Sequence, residues 1–189
     1  MTYNFLRQSK KKTSPNLCLT DFVHSQDWIG SFAIWVEGID YLADSFRSKN
    51  DDYMSIMIQS LGDRLAEATA EWLHENVRKK WWGYSKDENY SNEDLIKERY
   101  LGIRPAPGYP ACPDHTQKIK ILNWLDIGSR IELTEGLTMK PKSAICGWYF
   151  ASPESKYFGV GKIPEEYITD LQNRNTHLKK YKNHITGVD

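Results

Sequence analysis

A run of four prolines in nine residues restricts the fold of this chain more than any other feature of its sequence. The proline-rich segment reads RPAPGYPACPDH from Arg104 to His115. Proline lacks a backbone N–H and holds φ near about −65°, so the segment suits neither a helix interior nor a central strand. We expect a stiff, extended stretch that presents free carbonyl oxygens, in which Gly108 lets another group approach the backbone closely.

Two side chains give this segment a chemical character. Arg104 carries a planar guanidinium fork that suits a carboxylate, and Tyr109 offers a flat ring with a hydroxyl. Together they could hold a small ligand that bears a carboxylate and a flat heterocycle. A rigid connector between two helices is an equally good interpretation, and the residues alone do not separate the two.

Hydrophobic periodicity outlines the other elements. Apolar residues keep near-helical spacing from Tyr53 to Trp82, and Gly83 ends that helix. Shorter helices are predicted at 91–102, 114–126 and 164–180. Apolar, β-branched and aromatic residues predict short strands or buried stretches at 17–22 and 28–36, and strands at 131–133, 137–139, 144–150 and 156–163. This order predicts an α+β fold, with a mixed or antiparallel sheet flanked by helices.

Length and composition indicate one globular domain. We expect it to cover residues 17–181, after a polar, loosely held leader at 1–16 and before a C-terminal tail at 182–189. A formal net charge of 0 gives no electrostatic basis for binding nucleic acid. The three cysteines form no CxxC pair, no apolar run could span a bilayer, and no signal-peptide pattern is present. These features predict a cytoplasmic chain without nucleic-acid or membrane partners.

The long helix and the last strand each add a candidate feature. Glu67 lies among alanines that could bring it under cover, where it would need a cationic partner. Glu71 and His74 form a single Glu-x-x-His, and because a diiron bundle needs two such motifs we do not favour a metal site. Strand alternation places Tyr157 on one face with two glycines, which leaves space that either a ligand or a neighbouring backbone would fill.

The proline-rich segment resembles the Arg-x-x-x-Gly-Tyr signature of the activation domain of vitamin B12-dependent methionine synthase. Other stretches are similar to that family in the same order: DDYMSIM at 51–57, DRLAEA at 63–68, WGY at 82–84, ELTE at 132–135, GWYF at 147–150 and SKY at 155–157. The similarity runs from about residue 6 to about residue 166. It implies an activation-domain-like fold that is shortened at its N-terminus.

The resemblance implies an S-adenosylmethionine-binding module that supports the reductive remethylation of cob(II)alamin. In that family the domain docks over a cobalamin-binding domain, and flavodoxin or an equivalent reductase supplies the electron. Cobalamin would be held by that partner domain and not by this chain. Because the sequence contains no homocysteine, folate or cobalamin module, we do not expect the chain to make methionine alone.

Matching positions carry over the family's ligand contacts. Arg104 would hold the carboxylate of S-adenosylmethionine, and Glu67 would meet the charged end of the ligand. Ala106 and Gly108 would offer backbone groups, with Tyr109 beside them. The resemblance implies no catalytic residue and no metal ligand within this chain.

Three further matched positions have less defined roles. Tyr157 would contribute from the strand, whereas Glu98 and His115 match without a definite role. Asp27 and Trp28 look like an acidic contact motif of the family's N-terminal part, but the residues that follow align elsewhere, so that contact is not carried over. Whether the chain is a fragment, a split-gene subunit or a decayed copy stays open.

Three functions therefore compete. The first is a reactivation module that binds S-adenosylmethionine. The second is a docking module that contacts a cobalamin-binding domain without binding S-adenosylmethionine. The third is an enzyme that uses S-adenosylmethionine as an ordinary methyl donor, and the absence of a glycine-rich nucleotide loop after a first strand disfavours it.

Overall fold

The strands of the molecule form small antiparallel sheets. The computed structural model describes residues 2–10, 13–174 and 185. Strand β1 (Gly30–Trp35) pairs with β4 (Ala144–Tyr149), and β2 (Glu132–Leu133) pairs with β3 (Met139–Lys140). The helices of the described part are α1 (Ile39–Arg47), α2 (Asp52–Asn76), α3 (Asn92–Ile96), α4 (Gln117–Trp124) and α5 (Glu165–Arg174). Helices and antiparallel strands together confirm the α+β class.

The β1–β4 sheet is covered on both faces. Successive side chains of a strand point to opposite faces, and along β4 both faces are buried. Trp148 packs with Ile121 of α4 in the larger core, whereas Tyr149 stacks on Phe32 of β1 at a centroid distance of 4.8 Å on the side of α2. This double burial explains why β4 reads as a nearly continuous apolar run.

Helix α2 begins and ends where the sequence predicts. The Asp51 side chain accepts a hydrogen bond from the Met54 amide (3.0 Å), which caps the first turn. After Asn76 the helix widens into a π-turn over Val77–Trp81. Gly83 then ends it with a φ of +73°, a conformation that favours glycine. The face of α2 that packs against the rest of the molecule carries small residues, so α1 and the sheet can approach the helix axis closely.

The described part of the N-terminal leader packs onto the core and is not loosely held. Leu6 is buried, and the ring of Phe5 lies edge-on to Trp148 at 5.0 Å. The Gln8 amide donates to the carbonyl of Leu17 (3.0 Å). The few apolar residues of this polar stretch therefore outweigh its average polarity.

The strand predicted at 156–163 is wrong, and the stretch at 17–22 is buried in large part but is not a strand. Residues 17–22 contain a short 3-10 helix, Leu19–Phe22, because Asp21 accepts a hydrogen bond from the Cys18 amide (2.9 Å) and closes a turn. Residues 156–163 are irregular, and Gly161 has a φ of +80°, so strand alternation does not apply there. The space beside the glycines is filled by Pro110 and Lys10: a Cβ added at Gly159 would lie 3.6 Å from Pro110, and one added at Gly161 would lie 2.9 Å from Lys10.

Other boundaries differ from the expectation. Helix α1 was not predicted, and the helix expected at 91–102 is only the five residues of α3. The final helix is described as far as Arg174. Its expected extension to residue 180 and the boundary between the domain and the tail at 181–182 lie outside the described residues.

Candidate ligand-binding site

A cavity of about 500 Å³ lies between α2, the proline-rich segment and the loop that contains Tyr157. This volume is within the usual range of about 300–1,000 Å³ for small-molecule sites. Six of the eight predicted site residues line it: Glu67, Glu98, Arg104, Ala106, Tyr109 and Tyr157. Phe32, Ile145 and Phe158 supply much of its apolar wall. The cavity therefore combines an apolar lining with a guanidinium, two carboxylates and two phenol rings.

Several carbonyl groups of the proline-rich segment accept hydrogen bonds and are not free, contrary to our expectation. Pro105 accepts a hydrogen bond from the Trp148 amide (3.0 Å), and Pro110 accepts one from the Val160 amide (2.8 Å). The Gly108 amide donates to the carbonyl of Cys112 (2.7 Å), so it is not available to a ligand. The Ala106 amide, in contrast, donates to no acceptor among the described residues. Ala106 and Gly108 were both expected to offer backbone groups to a ligand, and of these two residues Ala106 keeps its amide N–H available.

Gly108 and His115 lie against each other in the proline-rich segment. Gly108 has a φ of +92°, and a Cβ at this position would lie 2.3 Å from the imidazole of His115. The Lys118 ammonium donates to Nδ1 of that imidazole (3.1 Å) and to the carbonyl of Leu137 (3.0 Å). Burial lowers the pKa of Lys118. The structure thus places Gly108 and His115 in contact with each other and outside the cavity lining.

Arg104 is held by residues that sequence reasoning did not assign to the site. Its Nη2 forms an ion pair with Glu71 (2.7 Å). Its Nη1 donates to the Tyr100 hydroxyl (3.1 Å) and to Nδ1 of His74 (3.4 Å). The backbone amide of Arg104 donates to the Tyr157 hydroxyl (3.0 Å). The sequence signal for these contacts was the Glu-x-x-His pattern on α2, and both of its side chains, Glu71 and His74, contact Arg104.

His74 is neutral in this network. The residue is fully buried, and burial, together with the charges of Arg78 and Arg104, lowers its pKa to about 2. Because Nδ1 accepts from Arg104, Nε2 carries the proton and donates to the Tyr84 hydroxyl (3.3 Å). A neutral imidazole thus accepts from the guanidinium without adding charge behind the cavity.

A buried ion pair supports Tyr100 from the other side. The guanidinium of Arg78 contacts the carboxylate of Glu88 at 2.8–2.9 Å, and the two side chains are 0% and 3% exposed. The same guanidinium lies 4.2 Å from the centre of the Tyr100 ring, a cation–π arrangement. The chain of contacts from Glu88 through Tyr100 to Arg104 fixes the position of Arg104 at the cavity wall.

The two carboxylates of the cavity remain accessible. Glu67 is exposed and is not covered by the neighbouring alanines, contrary to the expectation from the sequence. It forms no ion pair or hydrogen bond with the described residues. Glu98 is also exposed and has a φ of +51°, a backbone conformation that is uncommon outside glycine and is often found at binding sites. Both groups can meet a cation at the cavity.

Comparison with known proteins decides the family. Residues 1–176 match the family model described as vitamin B12 dependent methionine synthase, activation domain. The chain belongs to this family. The expected resemblance is thus confirmed over most of the sequence, well beyond the proline-rich segment.

A solved structure of an activation-domain relative shows the same fold. The chain is 45% identical to the MetH reactivation domain bound to AdoHcy, with a TM-score of 0.88. The match covers 98% of this chain and 61% of that one. The chain therefore spans less than two thirds of the length of the domain that it matches. None of the described helices combines the length and the apolar character needed to cross a membrane.

Proposed function

We propose that this chain binds S-adenosylmethionine in the cavity and acts as the reactivation module of a cobalamin-dependent methionine synthase. One observation carries the proposal. Six of the eight residues that match the family's ligand contacts line a single cavity, in a chain 45% identical to a domain solved with AdoHcy bound. AdoHcy differs from S-adenosylmethionine by the transferred methyl group, so one cavity can accept both.

The chemistry of the cavity lining matches the parts of this ligand. The Nε–H of Arg104 donates to none of the described residues, so donor capacity remains for the ligand's carboxylate. Glu67 and Glu98 are accessible anions that suit the ammonium and sulfonium groups. Tyr109 is 58% exposed and offers its ring to the adenine. The free amide of Ala106 provides one more donor.

The wider role rests on the family and on partners outside this chain. We propose that S-adenosylmethionine supplies the methyl group, and a flavodoxin or an equivalent reductase the electron, for remethylation of cobalamin held by a partner domain. The residues of this chain would bind and orient the methyl donor in that reaction. We place the chain in the cytoplasm, because Cys18, Cys112 and Cys146 are all buried and unpaired.

The test is a calorimetric titration of the purified chain with S-adenosylmethionine, beside Arg104→Ala. A charge-assisted hydrogen bond contributes about 1.5–3 kcal/mol, so the variant should bind roughly ten- to a hundredfold more weakly. A folded wild-type chain that releases no heat would contradict the proposal. If that chain still bound a cobalamin-binding domain, it would be the docking module considered above.

A further inference from the structure

One wall of the cavity stands on irregular backbone. Tyr157 reaches the cavity from the Tyr157 loop, which we define as residues 156–163 and which contains neither helix nor strand. Two hydrogen bonds join this loop to the proline-rich segment: the Arg104 amide donates to the Tyr157 hydroxyl (3.0 Å), and the Val160 amide donates to the Pro110 carbonyl (2.8 Å). Because no regular ladder of backbone hydrogen bonds supports the loop, its position depends on such individual contacts.

The N-terminal leader holds the same loop from its other side. The Gln8 side chain donates from Nε2 to the carbonyl of Gly159 (2.7 Å), and the Ser9 hydroxyl donates to the carbonyl of Lys162 (3.1 Å). Leu6 is buried in an apolar cluster to which the loop also contributes. The Tyr157 loop therefore lies between the proline-rich segment and a stretch of chain about 150 positions away in sequence.

Gln8 uses both ends of its carboxamide in this arrangement. While Nε2 donates to Gly159, Oε1 accepts a hydrogen bond from the Leu17 amide (3.0 Å). The backbone amide of Gln8 in turn donates to the carbonyl of Leu17 (3.0 Å). A carboxamide with its donor and its acceptor both engaged has a defined orientation. Gln8 thus ties the loop to the leader at a fixed distance, although it is not among the residues that line the cavity.

We infer that Gln8 is a positioning residue of the ligand site, which keeps Tyr157 on the cavity wall by holding the carbonyl of Gly159. Gly159 follows Tyr157 by two residues and precedes Val160, so the bond from Gln8 falls between the two bonds to the proline-rich segment. Without that bond the loop samples positions in which Tyr157 leaves the wall. Ligand binds only the fraction of molecules with the wall in place, so apparent affinity falls with that fraction. The effect on affinity rests on the proposed function.

The test compares two substitutions of Gln8 with one of its neighbour Arg7. Gln8→Glu keeps the size of the side chain and the acceptor for Leu17, but it sets a carboxylate oxygen against the carbonyl of Gly159. Gln8→Ala is the second variant, and it removes both bonds without adding charge. Arg7→Gln is the matched control, because it breaks the ion pair with Asp21 (2.6 Å), which fastens the leader but does not touch the loop. Circular dichroism establishes that each variant is folded.

Two measurements are made on each folded variant. Hydrogen–deuterium exchange, followed by mass spectrometry without ligand, reports the opening of residues 156–163, and calorimetric titration reports the affinity for S-adenosylmethionine. We expect both Gln8 variants to exchange about tenfold faster in the loop and to bind about fivefold more weakly, whereas Arg7→Gln should change neither value by more than about twofold.

Three results would overturn the inference: exchange of the loop at the wild-type rate in both Gln8 variants, faster exchange with wild-type affinity, or the same two changes in Arg7→Gln. The last result would show that any weakening of the leader has this effect. If the wild-type chain does not bind S-adenosylmethionine, the proposed function fails. The exchange rates then decide on their own whether Gln8 holds the cavity wall: faster exchange confined to the Gln8 variants supports it, and unchanged exchange overturns it.

Discussion

Replacing Arg104 by alanine should lower the stability of the folded chain as well as weaken ligand binding. The substitution leaves Nδ1 of the fully buried His74 without its donor, and an unsatisfied buried acceptor costs about 1–3 kcal/mol. It also removes the ion pair with Glu71, whose side chain is 30% exposed, a loss of up to about 1 kcal/mol. The free energy of unfolding should fall by about 3 kcal/mol, which lowers Tm by roughly 6–12 °C in a chain of this size.

Glu67→Gln is the matched control for this prediction. Glu67 lines the same cavity but forms no ion pair or hydrogen bond with the described residues, so its replacement should change stability by less than about 0.5 kcal/mol. Differential scanning calorimetry without ligand measures both variants, and titration with S-adenosylmethionine measures binding. If Arg104→Ala unfolds at the same temperature as the wild-type chain, the contacts with His74, Tyr100 and Glu71 do not hold Arg104, and the argument fails.

Three further predictions concern the surroundings of the cavity. Gly108→Ala would place a Cβ 2.3 Å from His115 at a φ of +92°, so it should destabilise the chain by about 1–3 kcal/mol in a thermal melt. Gly159→Ala is the control and should be tolerated in the same assay, because the Cβ would lie 3.6 Å from its nearest neighbour. His74 has a folded-state pKa of about 2, below the unfolded value of about 6.5, so the unfolded chain binds the extra proton and stability is lost as pH falls below about 6.5. Relative to His74→Gln, urea titrations should show the wild-type chain losing about 1.4 kcal/mol per pH unit between pH 6 and 4, and parallel curves would contradict a neutral His74. Glu88→Gln should destabilise the chain by about 3–5 kcal/mol, because it leaves the buried guanidinium of Arg78 unpaired; an unchanged urea midpoint would show that the pair is not buried in solution.

Elements with strong local signals could be predicted from the sequence. Helix α2 has a regular apolar period, a capping aspartate and a terminal glycine, and each of these signals acts on residues close to it in sequence. Helix α1 lacks such signals, because its N-cap is Gly38, which provides no side-chain hydrogen bond. At 156–163, in contrast, the local signal is present but a contact from another part of the fold overrides it. The apolar pattern of this stretch is strand-like, but within the described residues its backbone is tied to the proline-rich segment by the bond from Val160 to Pro110.

The candidate site could be predicted only in part for a similar reason. The resemblance supplies Arg104, Tyr109 and the other matched positions, and six of these line one cavity. It gives no indication that Glu71 and His74 hold Arg104, because the residues lie 30 or more positions apart and meet only when α2 packs beside the proline-rich segment. Local sequence shows which side chains can bind a ligand, whereas the contacts that fix their positions depend on the tertiary fold.

The two interpretations of the proline-rich segment, rigid connector and ligand platform, do not exclude each other. Its carbonyls at Pro105 and Pro110 hold β4 and the loop after Tyr157, which is the work of a connector. Because its prolines have no N–H, the segment has few backbone donors, and the Ala106 amide beside the cavity is one of them. A segment fixed in this way loses little conformational entropy when a ligand binds. The stiffness that prevents helix and strand formation thus also pre-organises Arg104, Ala106 and Tyr109 around one cavity.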